Sequence, residues 1–351
     1  MVHKFNLERP LEEREESVLG ALVYEFINTG KPVGSRSFVQ KYSFSISPAT
    51  MRNIMVDLEN MGFLMQPHTS AGRIPTDLGY RFYVNSLLDN YDFSHRDNVQ
   101  VNEDLLNNEL LLDKLFLSVI KMLSFMSKYA GIILTPRSDF AVVKRIELIL
   151  LDNNDVLMIL VARTGIVMTK KVSVSSNLTQ DELYEYSRYL STELSGYSLN
   201  EIREGIFDKL RAEKSIKMGK DIALDIAELA LSETREAELS IEGIENLLKI
   251  PEMVQEERLS SLLNIIEEKN ILKKIMEKIV ENDGVKILIG QEINETKVSG
   301  CSMVATSYKI SNKKVGAVGV LGPTRMDYEK VVPLVDYSGK IISDYLTKMS
   351  M

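Results

Sequence analysis

The residues best equipped to recognise something are Ala49, Thr50, Arg52 and Asn53, which follow closely on Ser47 and Pro48. An arginine can donate two hydrogen bonds to the O6/N7 edge of guanine, and an asparagine can pair with N6 and N7 of adenine. Each such contact discriminates between bases by roughly 1–3 kcal/mol. Ala49 is small enough to permit close approach and can touch a thymine methyl, and Thr50 adds a hydroxyl. Ser47, at a helix N-terminus, suits a phosphate, a contact that positions a protein without reading sequence. Further along, Thr69, Ser70, Gly72 and Arg73 offer hydroxyls, an unhindered backbone and a cation. Those are the groups a phosphate or minor-groove contact needs.

No comparable set points to catalysis. His3, His68 and His95 have no metal-ligand spacing with one another or with Cys301. G-x-S-x-G, Walker A and zinc-binding patterns are missing from the sequence. A lone histidine such as His68 is first a surface or packing residue, Gly319-Val320-Leu321-Gly322 reads as a turn after a strand, and Glu233 to Glu238 as solvated surface. No catalytic residue, metal ligand or cofactor is therefore expected.

The elements that must position the candidate residues follow from spacing and caps. A first helix runs from about Leu11 to Asn28, with Val18, Leu22, Val23, Phe26 and Ile27 on one face; Thr29-Gly30 ends it and Pro32 prevents its resumption. A short helix spans Ser35 to Tyr42. The third starts with Ser47 as N-cap and Pro48 at the first helical position. Its inward stripe is Met51, Ile54/Met55, Leu58 and Met61, which leaves Ala49, Thr50, Arg52, Asn53 and Val56 facing outward. Two short strands, Phe63 to Gln66 and Ile74, flank the Pro67–Arg73 turn, and a fourth helix covers Thr76 to Tyr91. Helix, short helix, reading helix, hairpin and helix is the order of a winged helix-turn-helix.

Downstream, 92–102 is polar and reads as a linker. An apolar helix spans Leu105 to Met126. Asp113, Lys114 and Lys121 interrupt it at about 2.5–3.5 kcal/mol each in a bilayer centre, so it is expected inside protein rather than membrane. Val143–Leu151, Val156–Arg163 and Ile166–Val174 form a predicted antiparallel meander. A long helical stretch follows from Thr179 to about Leu239, with capping boxes at Thr179/Glu182 and Ser198/Glu201, and another helix spans Glu256 to Val280. Strands return at Val285–Ile289, Ser302–Ile310 and Val315–Leu321, before a last helix, Asp327 to Lys348. Strands, helices, then strands fit either one α+β domain interrupted by an insertion or two independent domains.

The chain has 351 residues, enough for two or three domains, with 44% hydrophobic and 26% charged residues. One cysteine and an N-terminus without an apolar run fit a cytoplasmic protein. The net charge of −8 argues against indiscriminate nucleic-acid binding. Between Lys31 and Arg81, however, Lys31, Arg36, Lys41, Arg52, Arg73 and Arg81 stand against Asp57, Glu59 and Asp77 only. A local basic face on an acidic body fits a specific DNA reader.

Longer motifs narrow this further. Val33-Gly34-Ser35-Arg36, Ser47-Pro48-Ala49-Thr50-Met51-Arg52-Asn53, Gln66-Pro67-His68-Thr69-Ser70-Ala71-Gly72-Arg73-Ile74-Pro75-Thr76 and Gly322-Pro323-Thr324-Arg325-Met326-Asp327-Tyr328 strongly resemble the bacterial heat-inducible transcription repressor HrcA family. So does Leu334-Val335-Asp336-Tyr337. The resemblance covers essentially the whole chain; Ile54 stands where members usually carry an acidic residue, and 181–281 matches loosely. It implies an α+β chain with a winged helix-turn-helix (1–91), a linker (92–102) and a GAF-like domain in two parts (103–180 and 282–351). A largely helical dimerisation domain (181–281) is inserted between those parts. Ser35, Arg36 and His68 join the candidate DNA contacts. The resemblance further implies a homodimer repressing chaperone operons at an inverted-repeat CIRCE operator, with a GroEL-type chaperonin as partner and repression lapsing on heat stress. The alternative is a regulator that senses a small molecule through the GAF-like domain.

Overall fold

Residues 9–91, 112–152, 154–175, 178–212, 220–232, 236–254, 269–293 and 300–350 are described by a computed structural model, a mixed α+β fold. The expected linker, 92–102, and the expected helical segments Leu105–Leu111 and Glu256–Glu268 lie outside the described residues.

Helical spacing of Val18, Leu19, Leu22, Val23 and Ile27 gives α1 (Glu13–Thr29) a continuous buried face. α2 (Ser35–Tyr42) buries Phe38, and α3 (Pro48–Asn60) buries Met51, Met55 and Leu58. Ile54 is half-buried and packs on the same core, so its apolar side chain is accommodated. β1 (Leu64–Met65) and β2 (Ile74–Pro75) pair antiparallel, and Thr76 caps α4 (Asp77–Asn90) by accepting from the Gly79 N–H.

The chain continues through α5 (Leu112–Ser127), β3 (Ala130–Leu134) and a meander of β4 (Val143–Asp152), β5 (Asp155–Ala162) and β6 (Val167–Ser173). α6 (Gln180–Leu194) and α7 (Leu199–Glu201) carry the expected Thr179/Glu182 and Ser198/Glu201 capping boxes. A π-helical stretch, Ile202–Ile206, joins α7 to α8 (Phe207–Ala212), with Gly205 at φ 156° and ψ 4° breaking the helical geometry. Then come α9 (Lys220–Leu231), β7 (Leu239–Glu242), α10 (Ile244–Leu247), α11 (Lys269–Val280), β8 (Lys286–Ile289), β9 (Cys301–Ile310), β10 (Lys313–Pro323) and α12 (Tyr328–Ser350).

Pairing divides these strands into two larger sheets. One is five-stranded and antiparallel, in the order β7-β3-β10-β9-β8, with Ile132 of β3 between Gly319 of β10 and Ile241 of β7. Its one face packs on α5 and α12, in a core that runs without a break into that of α1–α4; its other face packs on α10 and α11. The second sheet is the β4-β5-β6 meander, whose inner side, including Ile146, Leu148, Met158 and Leu160, packs on α6–α9. The outer edge of β4 is closed by side chains of α6. Ser191 and Ser187 hydroxyls accept from the Ile146 and Leu148 N–H groups at 2.9 and 2.8 Å, and Gln180 accepts from Leu150 at 2.9 Å. Polar side chains thus satisfy an edge that would otherwise invite strand addition.

The division differs from the expected one. The meander was expected in the sheet domain (103–180) and the insertion over 181–281. Instead β4–β6 pair only with each other and share a core with the 180–231 helices, while β7, inside the expected insertion, pairs with β3. The segment interrupting the five-stranded sheet therefore runs from about 141 to 232. The predicted helix to Leu239 likewise stops at Leu231, before that strand.

Tyr308 is fully buried, and its hydroxyl donates to the Leu134 carbonyl at 2.8 Å, tying β9 to β3 across β10. Burial pushes its phenol well above the ordinary value of 10.0. The neutral form is therefore favoured by folding, and that stabilisation is complete below pH 10 and lost as pH rises through the folded value. Tyr308→Phe is expected to lower the urea midpoint by about 1 kcal/mol equivalent at neutral pH and to make the alkaline loss of stability shallower. Unchanged stability at both ends of the pH range would deny the hydroxyl this role.

Candidate nucleic-acid interface

α3 presents two chemically different sides because its sequence alternates them at helical spacing. Met51, Met55 and Leu58 point into the core, whereas Ala49, Thr50, Arg52 and Asn53 are exposed. At its start the Ser47 hydroxyl accepts from the Thr50 N–H at 3.1 Å and shares a 2.9 Å hydrogen bond with the Thr50 hydroxyl. Both groups remain at the surface but are mutually oriented, so they can still meet a phosphate or a base edge.

The hairpin is held beside this helix by backbone. Val33 and Arg73 exchange both N–H···O hydrogen bonds, each 2.9 Å, which fastens the far side of the hairpin to the segment entering α2. Gly72 is required there, because a Cβ would overlap the Val33 carbonyl. The Gln66 side-chain amide donates to the Thr69 and Ala71 carbonyls at 2.9 Å each, and the Ala71 N–H closes a turn on the His68 carbonyl. His68, Thr69 and Ser70 are exposed at the tip. Between hairpin, α2 and α3 lies an open groove of about 280 Å³ that brings together Ser35, Arg52, Thr69, Ser70, Gly72 and Arg73.

Two expected roles change on this geometry. Arg73 is not a free cation: its Nη2 pairs with Glu59 of α3 at 2.8 Å, and its side chain is only 14% exposed. It binds hairpin to helix. Gly72 gains a structural role, letting the hairpin backbone close on Val33 while it also lines the groove. The basic face is also smaller than the charge count indicates. Lys41 pairs with Glu25 at 2.6 Å, holding that carboxyl below its ordinary value, and Arg81 is buried against Glu292. Lys31, Arg36 and Arg52 are exposed and make no ion pair among the described residues. Ser35, half-buried in the first turn of α2, lines the groove beside them. Gln66 is not among the expected contacts; its signals are its place at the head of the Gln66–Thr76 motif and a long amide immediately before a Pro-initiated turn.

The family model for the HrcA protein C-terminal domain matches residues 113–332. The chain is 35% identical over 342 residues to the heat-inducible transcription repressor HrcA of Leptospira biflexa, covering 97% of this chain and 99% of that one. It is 35% identical over 338 residues to the protein of the same name from Geobacter sulfurreducens, covering 96% and 98%. The chain belongs to the HrcA family of heat-inducible transcription repressors. Its function is transcriptional repression of heat-shock genes, not catalysis. A 2.2 Å crystal structure described only as a hypothetical protein superposes with a TM-score of 0.66 at 25% identity, covering 97% of this chain and all of that one. The mixed α+β architecture of the chain is shared with that structure. Among the described residues, no helix is long and apolar enough to cross a membrane.

Gly72→Ala is expected to cost about 1–3 kcal/mol by forcing the hairpin off Val33, whereas Arg36→Ala, at an exposed cation, should leave the melting temperature unchanged. Thermal melting of the two variants separates them, and equal stability would refute the bridge as the hairpin's anchor.

Proposed function

We propose that residues 9–91 form a winged helix-turn-helix in which α3 enters the major groove and the His68–Arg73 hairpin is the wing. Two copies would bind the halves of an inverted-repeat, CIRCE-type operator controlling chaperone operons. The observation that carries this is the exposed Ala49-Thr50/Arg52-Asn53 face on a helix whose other side is fully buried. Arg52 and Asn53 have the donor geometry for guanine and adenine, Ser47 and the wing hydroxyls suit phosphates, and Arg36 and Lys31 supply the flanking positive charge.

The five-stranded sheet with α5 and α12 is read as the GAF-like unit, and the β4–β6 sheet with α6–α9 as the inserted dimerisation unit. The outer side of that second sheet supports dimerisation. Ile149, Leu151 and Val167 are exposed there, with Leu157, Ile159 and Val161 half-buried between them. The register places Ile149 beside Leu157, and Val161 beside Val167, so the apolar side chains are contiguous. A patch of that kind suits a self-complementary two-fold contact, and protein symmetry would then match operator symmetry. A GroEL-type chaperonin that keeps the repressor active, and is occupied by unfolded protein on heating, completes the reading. The chain has 16 methionines, and Met51 and Met55 lie directly beneath the reading face, which makes that core adaptable and dependent on its packing.

Arg52→Ala should weaken binding to the intact inverted repeat by about 1–3 kcal/mol without changing the melting temperature, measured by gel shift at fixed salt. Parent-like affinity would remove Arg52 from the base contacts. Ile159→Asp should give a folded monomer in sedimentation that binds a single half-site normally and gains nothing from the second; a persistent dimer would place the interface elsewhere.

A further inference from the structure

The Gly322–Tyr328 motif is remote from α3 in sequence, yet it grips α1, which shares one core with α3. Arg325 Nη1 donates to the Ile27 carbonyl at 2.7 Å, in the last turn of α1, where unpaired carbonyls carry the negative end of the helix dipole. The same guanidinium makes a forked pair with Glu252, at 2.7 and 3.2 Å. Its loop is fixed from below: the buried Tyr328 hydroxyl donates to the Thr324 carbonyl at 2.9 Å and lies 3.0 Å from the Ser302 hydroxyl. A second grip closes on α4. The Arg81 guanidinium, 7% exposed as a residue, donates to the Ile287 carbonyl and to Glu292, each at 2.7 Å. Asp77 accepts from the Gln291 N–H at 3.0 Å, with Gly290 so close that a Cβ there would overlap the Asp77 carboxylate. Tyr83 donates to Glu329 at 2.7 Å. Forked, largely desolvated arginine contacts define an angle and a distance together, unlike a greasy contact that can slide.

We propose that Arg325 and Arg81 are positioning residues which set the orientation of the DNA-binding unit on the five-stranded unit, and thereby the half-site spacing that a dimer accepts. This rests on the dimer–operator function proposed above. Neither residue touches DNA; each acts through α1 or α4, and α3 follows them as part of one core.

The test uses the full-length chain and three DNAs: the inverted repeat, the same repeat with about five base pairs (half a helical turn) added between half-sites, and an isolated half-site. The parent should prefer the native spacing by tenfold or more, on the order of 1.4 kcal/mol. Arg325→Gln, and independently Gly290→Ala, should reduce that preference below about threefold while half-site affinity stays within about twofold. Arg325→Lys, which keeps the charge but not the fork, should fall between. Variants that keep the parent's spacing preference overturn this inference alone, as does a loss of affinity equal for all three DNAs, which would mean a merely destabilised unit. A parent indifferent to spacing overturns the dimer–operator function and this inference with it.

Discussion

The paired backbone hydrogen bonds between Val33 and Arg73 set where the hairpin stands against α2 and α3. They join the residue just before α2 to the returning arm of the hairpin, and the Arg73–Glu59 pair then joins that arm to α3. Helix and hairpin are thus fixed at one separation, and the groove holding Arg52 opposite Thr69 and Ser70 exists because of it. A two-residue hairpin ladder could not impose this geometry alone, since isolated hairpins of that length are marginal in water. Backbone bonds do it without consuming any exposed side chain, which leaves Arg36, Arg52 and Asn53 available for a ligand.

The same unit is attached on its other side by chemistry of a different kind. α1 and α4 share an apolar core with α5 and α12, and that continuity supplies most of the attachment through burial. Arginines at its rim, Arg81 and Arg325, add direction to it. Breaking one partner of such a pair leaves the other charge uncompensated in a partly desolvated setting. Cations that from composition looked like DNA contacts therefore divide by depth. Those paired inside organise the unit, and those left outside are few enough to suit a specific reader in a chain of net charge −8.

Local features were legible in the sequence wherever the determining partner lay nearby. The Ser47 cap, the Met51–Leu58 stripe, both capping boxes and the antiparallel pairing of the three meander strands involve neighbours close in sequence, and they fall where spacing puts them. Features set by distant partners did not show. β3, Ala-Gly-Ile-Ile-Leu, is buried on both faces and so lacks alternation, and β7 follows directly on an acidic stretch that resembles helix. Periodicity reports which side of a strand is covered but not which sheet it joins, so the meander was grouped with the wrong core. Arg73 and Arg81 looked alike as free cations, although Glu292 stands 211 residues beyond Arg81. The outward face of α3 was legible because exposure there follows directly from helical phase; the contacts made by Gln66, Glu59 and Arg325 were not.

Arginine-selective chemical modification, read residue by residue by mass spectrometry with and without saturating inverted-repeat DNA, tests the division between reading and orienting arginines most directly. Free in solution, Arg36 and Arg52 should react readily and Arg73, Arg81 and Arg325 slowly, in the order of their exposure. DNA should protect Arg36 and Arg52 and leave the rates of Arg81 and Arg325 as they were. If Arg52 remains fully reactive in the saturated complex, the outward face of α3 is not the surface that reads DNA.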